Sequence, residues 1–479
     1  MTTEQELPEG WKKTTLGAEF EWSSGGTPKS GVPAYYENGS IHWLNISDLN
    51  DGLISYAEKK ITELGLQESS AKIVPQGSVL IAIYGSIGKL GINTIPLATN
   101  QAICFTKKIP EYILNKFLFY YLLSIRNQLI SMGKGGTQQN ISQTVLKSVP
   151  FFYPTSKETQ QAIVNKIESL FDEIDEGIGR LKTAARQIQQ YRQSLLKNAF
   201  NGELTKEWRS KHADTLPSEN EMLAQIQTAR EQHHAQQLAD WQTAVSQWEQ
   251  NGKEGKKPSK PKAPTQAVKF EENFADLPNG WGVIRFENIC DLIRNGISVK
   301  PEGESGTKIF RISAVRPFQL NLDDYRFLNT DDVGDFVLNN GDLLFTRYNG
   351  TRNFVGVCAE FKSNEIYVYP DKLIRAVVNS TEINNTFLMY GFNTGISREF
   401  IESRIRTTAG QSGISGSDIK AIPVIICSLA EQTQIVAILE SKLTACDQLA
   451  AELSKQLKQA ELLKQAVLKA AFSGSLLDK

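Results

Sequence analysis

The sequence predicts an α+β molecule built twice over, as two mixed α/β units that are each followed by one long helix. Three observations predict it. The stretch 155–204 returns at 428–476 with its apolar rows in register, shifted by 272 residues from Ile167 to Leu439. The opening LPEGW (Leu7 to Trp11) returns as LPNGW (Leu277 to Trp281). Between each opening and its helix lie short apolar runs of strand length, separated by Gly- and Pro-rich turns.

Residues 1–156 form the first unit. SIHWLNI (40–46) and SVLIAIY (78–84) read as strands, and 111–133 reads as a helix with an apolar face. GKGGTQQNIS (133–142) reads as a polar loop and KSVPFFYP as an exit strand. Residues 157–204 form the first long helix. Its apolar residues fall seven apart at Ile167, Ile174, Leu181, Ile188 and Leu195, beside a second row of Phe171, Ile178, Ala185, Arg192 and Ala199. Two such rows make a seam that needs a partner helix. The last helix, 430–479, repeats the seam at Leu439, Leu443, Leu453, Leu457 and Val467. Arg192 and Lys464 place a basic residue in the same slot of both copies. Thr155-x-x-Glu158 and Ser428-x-x-Glu431 read as capping boxes, and Gly202 and Gly474 as left-handed C-caps. Gly177 and Gly179 predict a bend in the first copy, where the second has Leu449 and Ala451. At 1.5 Å per residue each helix is about 65 Å long, more than a compact domain needs.

Residues 205–276 are a central linker of different composition. It starts irregularly, reads as a polar helix from about Ser218, and ends in the Lys/Pro-rich NGKEGKKPSKPKAPTQ (251–266). That segment reads as a flexible, solvated tether, with non-specific phosphate contact as its alternative role. Residues 277–429 repeat the first unit. GDLLFTRYNGT (341–351) aligns with GSVLIAIYGSI (77–87), and GQSGISGSDIKAIPVII (410–426) restates GTQQNISQTVLKSVPFF.

Composition narrows the function classes. A chain of 479 residues exceeds one core. It is 40% hydrophobic and 22% charged, as globular proteins are, and holds no apolar run long enough to span a membrane. The polar start MTTEQELPEG does not read as a secretory signal. The five cysteines lack C-x-x-C pairing and read as buried small hydrophobes in a reducing cytoplasm. A net charge of −1 argues against a uniformly basic nucleic-acid binder but allows local basic patches.

Catalytic patterns fail on inspection. In YGSIGKLG (84–91) the first glycine of a phosphate loop would fall at Ile83, and Lys89 precedes Leu90. Asp371 with Glu440 and Lys442 mimics a nuclease pattern, but Glu440 sits in the long helix. No nucleophile–base pair, metal-ligand spacing or Asn/Asp-Pro-Pro-aromatic methyltransferase tetrapeptide is present. What remains is a binding surface of basic and amide side chains set in loops among glycines and aromatics. In the second unit these are Arg294, Asn295, Lys300, Arg311, Arg316, Arg347, Tyr348, Asn349, Thr351, Arg352, Arg375, Arg404, Arg406 and Gln411. In the first they are Lys29, Tyr84, Ser86, Lys89, Asn100, Gln101, Lys134, Thr137, Gln138, Gln139 and Asn140. Arg reads guanine, Asn and Gln read adenine, and Lys and further Arg hold phosphates. Taken singly, each is also a common surface or turn residue.

These doubled motifs resemble the specificity subunit of type I restriction–modification systems. The resemblance rests on the two LP-x-G-W starts, the GD-L-L-F-like strands, the helix openings and the A-F-x-G-x-L endings. RNGISVKP, YPDKLIRA and LTKEWR belong to it too, and it covers nearly the whole chain. The first unit departs from it at Ser78, where Asp is usual, and at Lys157-Glu158-Thr159-Gln160. The resemblance implies two target recognition domains that each read one half of a bipartite, asymmetric DNA site. It implies that the two helices pack antiparallel as a coiled coil with pseudo-two-fold symmetry and set the half-site spacing. Two modification (methyltransferase) subunits would dock and bring S-adenosylmethionine. ATP- and Mg-dependent restriction subunits would join to cut DNA. The chain itself would bind no cofactor or metal and catalyse nothing. Two readings compete: a coiled-coil scaffold that binds proteins only, and a stand-alone methyltransferase or nuclease.

Overall fold

The computed structural model describes residues 7–134, 139–266, 270, 277–329, 333–378, 381–408 and 410–477. Contacts divide the chain into two units, Met1–Ala185 with Ala451–Lys479, and Arg186–Ala450.

In the first unit a five-stranded sheet runs in the order Glu21–Ser24, Ile103–Lys108, Val79–Ala82, Leu90–Asn93, Gly52–Ile54. All four residues of Val79–Ala82 and of Leu90–Asn93 are buried, which is why these runs read as continuously apolar rather than alternating. A second sheet holds Ile41–Leu44 parallel to Leu97–Thr99. The helical stretch 111–133 is two helices, Asn115–Ser124 and Arg126–Ser131, broken at Ile125. Trp11–Thr15 pairs antiparallel with the exit strand Pro150–Pro154 and so closes the unit where the long helix begins.

The second unit repeats this plan. Its main sheet runs Cys290–Asn295, Leu373–Val378, Leu343–Thr346, Cys358–Glu360. Thr307–Phe310 lies parallel to Tyr367–Val368, and Gly282–Arg285 pairs with the exit strand Pro423–Ile426. The scaffold contacts are also duplicated. Gly77 and Gly341 both have positive φ (82° and 93°), and their carbonyls accept from the Asn115 and Asn385 amides. The buried amide of Gln160 accepts from Leu114 N–H and donates to the Tyr112 and Pro154 carbonyls. Gln432 accepts from Asn384 N–H and donates to the Glu382 and Cys427 carbonyls.

The long helices span Lys157–Phe200 and Leu429–Phe472, 44 residues each. The first is unbroken at Gly177 and Gly179, where an added Cβ would meet nothing within 4 Å. In the first unit Ile163, Val164 and Ile167 share a core with Val467, Leu468, Ala471 and Phe472. In the second, Leu195, Ala199 and Phe200 share one with Ile435, Val436, Leu439 and Leu443. Rising numbers on one helix meet falling numbers on the other, so the segments pair antiparallel within each unit.

This pairing explains the basic slot. Lys464 Nζ lies 2.6 Å from Asp175 in the first unit, and Arg192 pairs with Asp447 in the second. Asp447 is Asp175 moved by the same 272 residues that separate Lys464 from Arg192, so one ion pair is made twice with roles exchanged. Being half exposed, each contributes little stability but penalises a slipped register. Asp447→Arg alone is expected to lower stability by about 1 kcal/mol, and adding Arg192→Asp to restore most of it. Thermal melting of the two variants checks this.

Three local expectations need correction. Thr155 does not cap the first helix: its hydroxyl donates to the Gly10 carbonyl, and Ser156 Oγ accepts from Thr159 N–H instead. Ser428 does accept from Glu431 N–H, but the Glu431 carboxylate does not reach back. It is buried, accepting from Thr205 Oγ1 (2.7 Å), Arg209 Nε (2.9 Å) and Trp281 Nε1 (2.9 Å). Thus the tether's start, LTKEWR, and the unit's opening tryptophan are fastened to the last helix through one carboxylate. The Lys/Pro-rich segment is not free either. It lies back against the helix Glu219–Gln250, where Trp241 Nε1 donates to the Pro258 carbonyl (3.0 Å) and Trp248 Nε1 to that of Gly255 (3.2 Å). Extended, proline-rich backbone leaves its carbonyls open, and tryptophans seven apart on one helix face supply donors to them.

Gly202 and Gly474 are left-handed (φ 82° and 85°), as expected of C-caps. An added Cβ would lie 2.2 Å from Pro278 in the first case and from Pro8 in the second, so each helix end docks on an LP-x-G-W opening.

Candidate nucleic-acid interface

In the first unit the strand ends at Ser24, Ala82 and Ile103 fall at one edge of the main sheet. The loops leaving that edge carry Lys29, Tyr84, Ser86, Lys89, Asn100 and Gln101. Asn140 forms bridges to both Tyr84 and Lys134, and Gly85 N–H donates to the Gln139 carbonyl. Tyr84 is 45% exposed and Ser86, Lys134 and Gln139 are exposed, so this edge faces outward. Thr137 and Gln138 lie outside the described residues. Asn100 acts as a turn former: its Oδ1 accepts from Ala102 N–H. Gln101 accepts from Thr27 Oγ1.

In the second unit the same edge carries Asn295, Lys300, Arg347, Tyr348 and Asn349. A three-stranded sheet sets Tyr348–Asn349 beside Gln411–Gly413 and that beside Arg406–Thr408. Tyr348 faces Gly413, which faces Arg406. This is the Tyr84–Asn140–Lys134 arrangement of the first unit, made with full strands. Arg406 and Gln411 are exposed there, whereas Arg347 stacks on Tyr348 (4.7 Å) and donates to the Asp371 carbonyl.

One of the predicted residues is buried, and several others are engaged by groups of their own unit. Arg375 is buried and lies 2.7 Å from Asp342, a close ion pair rather than an aligned hydrogen bond. Its Nη1 donates to the Val337 carbonyl (2.8 Å). Burial pushes the Asp342 carboxyl up, against the Asn339 N–H and Arg375, which hold it down. Arg375 is therefore a strut under the edge. Arg352 donates to the Glu402 and Ile405 carbonyls, Arg294 lies over Phe336 and against Asp335, and Arg316 lies over Phe354. Asn349 Oδ1 accepts from Thr351 N–H. Arg404 lies over Phe400, and Arg311 pairs with Asp324 (3.5 Å).

Sequence reasoning passed over Arg326 and Lys372. Both line a cleft of about 450 Å³ on this edge with Lys300 and Arg311. Lys372 stands inside the motif YPDKLIRA, and its carbonyl accepts from Arg347 N–H, so that motif was the available signal. Among the described residues no group of three or more His, Cys, Asp or Glu is placed to hold a metal ion, and no helix is long and apolar enough to cross a membrane.

Residues 8–181 and 278–459 match the family model for the type I restriction modification DNA specificity domain. The chain is 26% identical to the EcoKI specificity subunit of Escherichia coli K12 and 23% identical to the StySPI specificity subunit of Salmonella potsdam. Each alignment covers 98% of this chain and 90% of the relative. Its fold is similar to a chain solved in work on complex assembly and conformational transition of the type I R-M system. That match has a TM-score of 0.66 and 17% identity, covering 98% of this chain and 99% of that one. It is similar also to the HsdS subunit of Thermoanaerobacter tengcongensis, with a TM-score of 0.51, 17% identity and 98% of each chain covered. Two copies of the fold, each ending in a long helix, together with a family match over both copies, place the chain in the type I restriction–modification DNA specificity family, as a non-catalytic specificity subunit.

Proposed function

We propose that each unit reads one half of a bipartite, asymmetric DNA site through the edge just described, and that the paired helices set the number of unspecified bases between the halves. The observation that carries this is the double occurrence of one outward edge, Tyr84–Asn140–Lys134 and Tyr348–Gly413–Arg406, on otherwise divergent loops. Equal scaffolds with unequal loop side chains suit two different half-sites. Two modification subunits dock on this frame and bring S-adenosylmethionine, and restriction subunits bring ATP and Mg chemistry. The exposed candidates Tyr84, Ser86, Lys134, Gln139, Arg406 and Gln411 contact the DNA. Arg375 and Arg352 hold the edge in shape.

Arg406→Ala and Gln411→Ala are each expected to cost about 1–3 kcal/mol on the cognate duplex and to relax one base position. Arg352→Ala is expected to lower thermal stability and leave base preference intact. Competition binding of the assembled complex against singly substituted duplexes checks both. Uniform weakening on every duplex would assign Arg406 to a phosphate.

A further inference from the structure

The cleft beside Lys300 lies at the mouth of the second unit's edge and joins four chain segments. Val299 and Lys300 come from the loop after Cys290–Asn295, Arg311 and Arg326 from the ends of the smaller sheet, and Lys372 from the turn entering Leu373–Val378. Its floor is apolar, with Ile309 and Phe310 almost fully buried. Its rim holds four cations and one carboxylate, Asp371. Lys300 pairs with the exposed Glu302 at 2.8 Å, and Arg311, itself half exposed, lies 3.5 Å from the part-buried Asp324. An exposed pair such as the first is worth little and yields to a stronger anion.

The fold does not need two of these charges, Arg311 and Lys372. Matching the parallel pair Ile309–Val368 to its counterpart Trp43–Ala98 puts Asn45 where the second unit has Arg311 and Ala102 where it has Lys372. There Asn100 donates to Asn45 (3.4 Å) and Thr27 to Gln101, so amides and a hydroxyl hold these two places without cations, while Lys59, whose carbonyl accepts from Trp43 N–H, stands where the second unit has Arg326.

We propose that this cleft seats one phosphate of the DNA backbone, with Arg326 and Lys372 as anchoring groups beside Lys300 and Arg311. It would fix the register of the second unit on its half-site without reading a base. The proposal rests on the DNA-reading role given above. A converging cationic rim binds a phosphate as a set of point charges and releases condensed counterions when it does so.

The test uses the full chain co-purified with its modification subunit. Arg326→Gln and Lys372→Gln, singly and together, are assayed by fluorescence anisotropy on cognate and random duplexes over a salt series. The double variant is expected to weaken binding by the same factor on both duplexes. Its slope of log K against log salt is expected to be shallower by about 0.9, the value for one phosphate contact. A scan of single neutral methylphosphonate linkages through the half-site adds an arm that needs no variant. One linkage should weaken the wild-type complex and leave the double variant unaffected. An unchanged slope, a loss confined to one base pair, or a scan with no sensitive linkage would overturn the proposal. A wild-type complex that prefers no duplex at all would instead overturn the DNA-reading role, so the two failures are distinguishable.

Discussion

Arg375→Ala is expected to destabilise the second unit by about 3–5 kcal/mol, because it leaves the Asp342 carboxylate buried without its cation. Calorimetry of the full chain should show the corresponding transition fall by roughly 6–20 °C. The first unit supplies the rescue. Strand register places Phe105 where the second unit has Arg375, and Ser78 stands in for Asp342. Phe105 is buried in an apolar cluster, and Ser78 Oγ donates to the Pro75 carbonyl. An uncharged pair of matching shape, its polar atom hydrogen-bonded, can replace a buried ion pair without loss. Arg375→Phe with Asp342→Ser is therefore expected to recover most of the stability that Arg375→Ala loses. If Arg375→Ala melts like the wild type, the strut assignment is wrong and Arg375 returns to the list of DNA-reading candidates.

Inserting one heptad into each long helix, after Thr183 and after Lys455, is expected to lengthen the unspecified spacer of the target by about three base pairs. Seven residues add about 10.5 Å of helix, and duplex DNA rises about 3.4 Å per base pair. The two insertions lie midway between the reciprocal ion pairs, so Lys464 keeps Asp175 and Arg192 keeps Asp447. Methylation mapping of cells expressing the variant with its modification subunit reads the spacer directly. An unchanged spacer with retained methylation would remove the helices' role as a ruler.

The sequence carried the long-range plan of the fold because that plan is periodic. Seven-residue rows, paired tryptophan openings and terminal glycines are local patterns, and Gly202 and Gly474 sit at positive φ as such patterns require. What escaped it depended on partners distant in sequence. The Thr155 hydroxyl was free to cap the helix only if Gly10 was elsewhere, and it is not. Arg375 looks like any loop arginine until strand pairing sets it against Asp342. The basic slot was visible at Arg192 and Lys464, but its meaning required the antiparallel register that brings Asp447 and Asp175 across. The tether's lysines concealed the pair of tryptophans on the preceding helix that hold it down. Within the candidate interface, the turns were legible from their Gly, Asn and Gln content. The engagement of Arg352 by the Glu402 and Ile405 carbonyls was not, because Arg352 and Arg406 are both exposed and sit in equally polar sequence.

The most direct test of the account is selection of bound duplexes from a randomised library by the full chain with its modification subunit. The wild type should enrich one motif of two short specified parts separated by a fixed unspecified run. A chimera whose residues 7–154 come from another specificity subunit should change one part and leave the other part and the run as they were. No enriched motif, or a chimera that changes both parts, would contradict the assignment of one half-site to each unit.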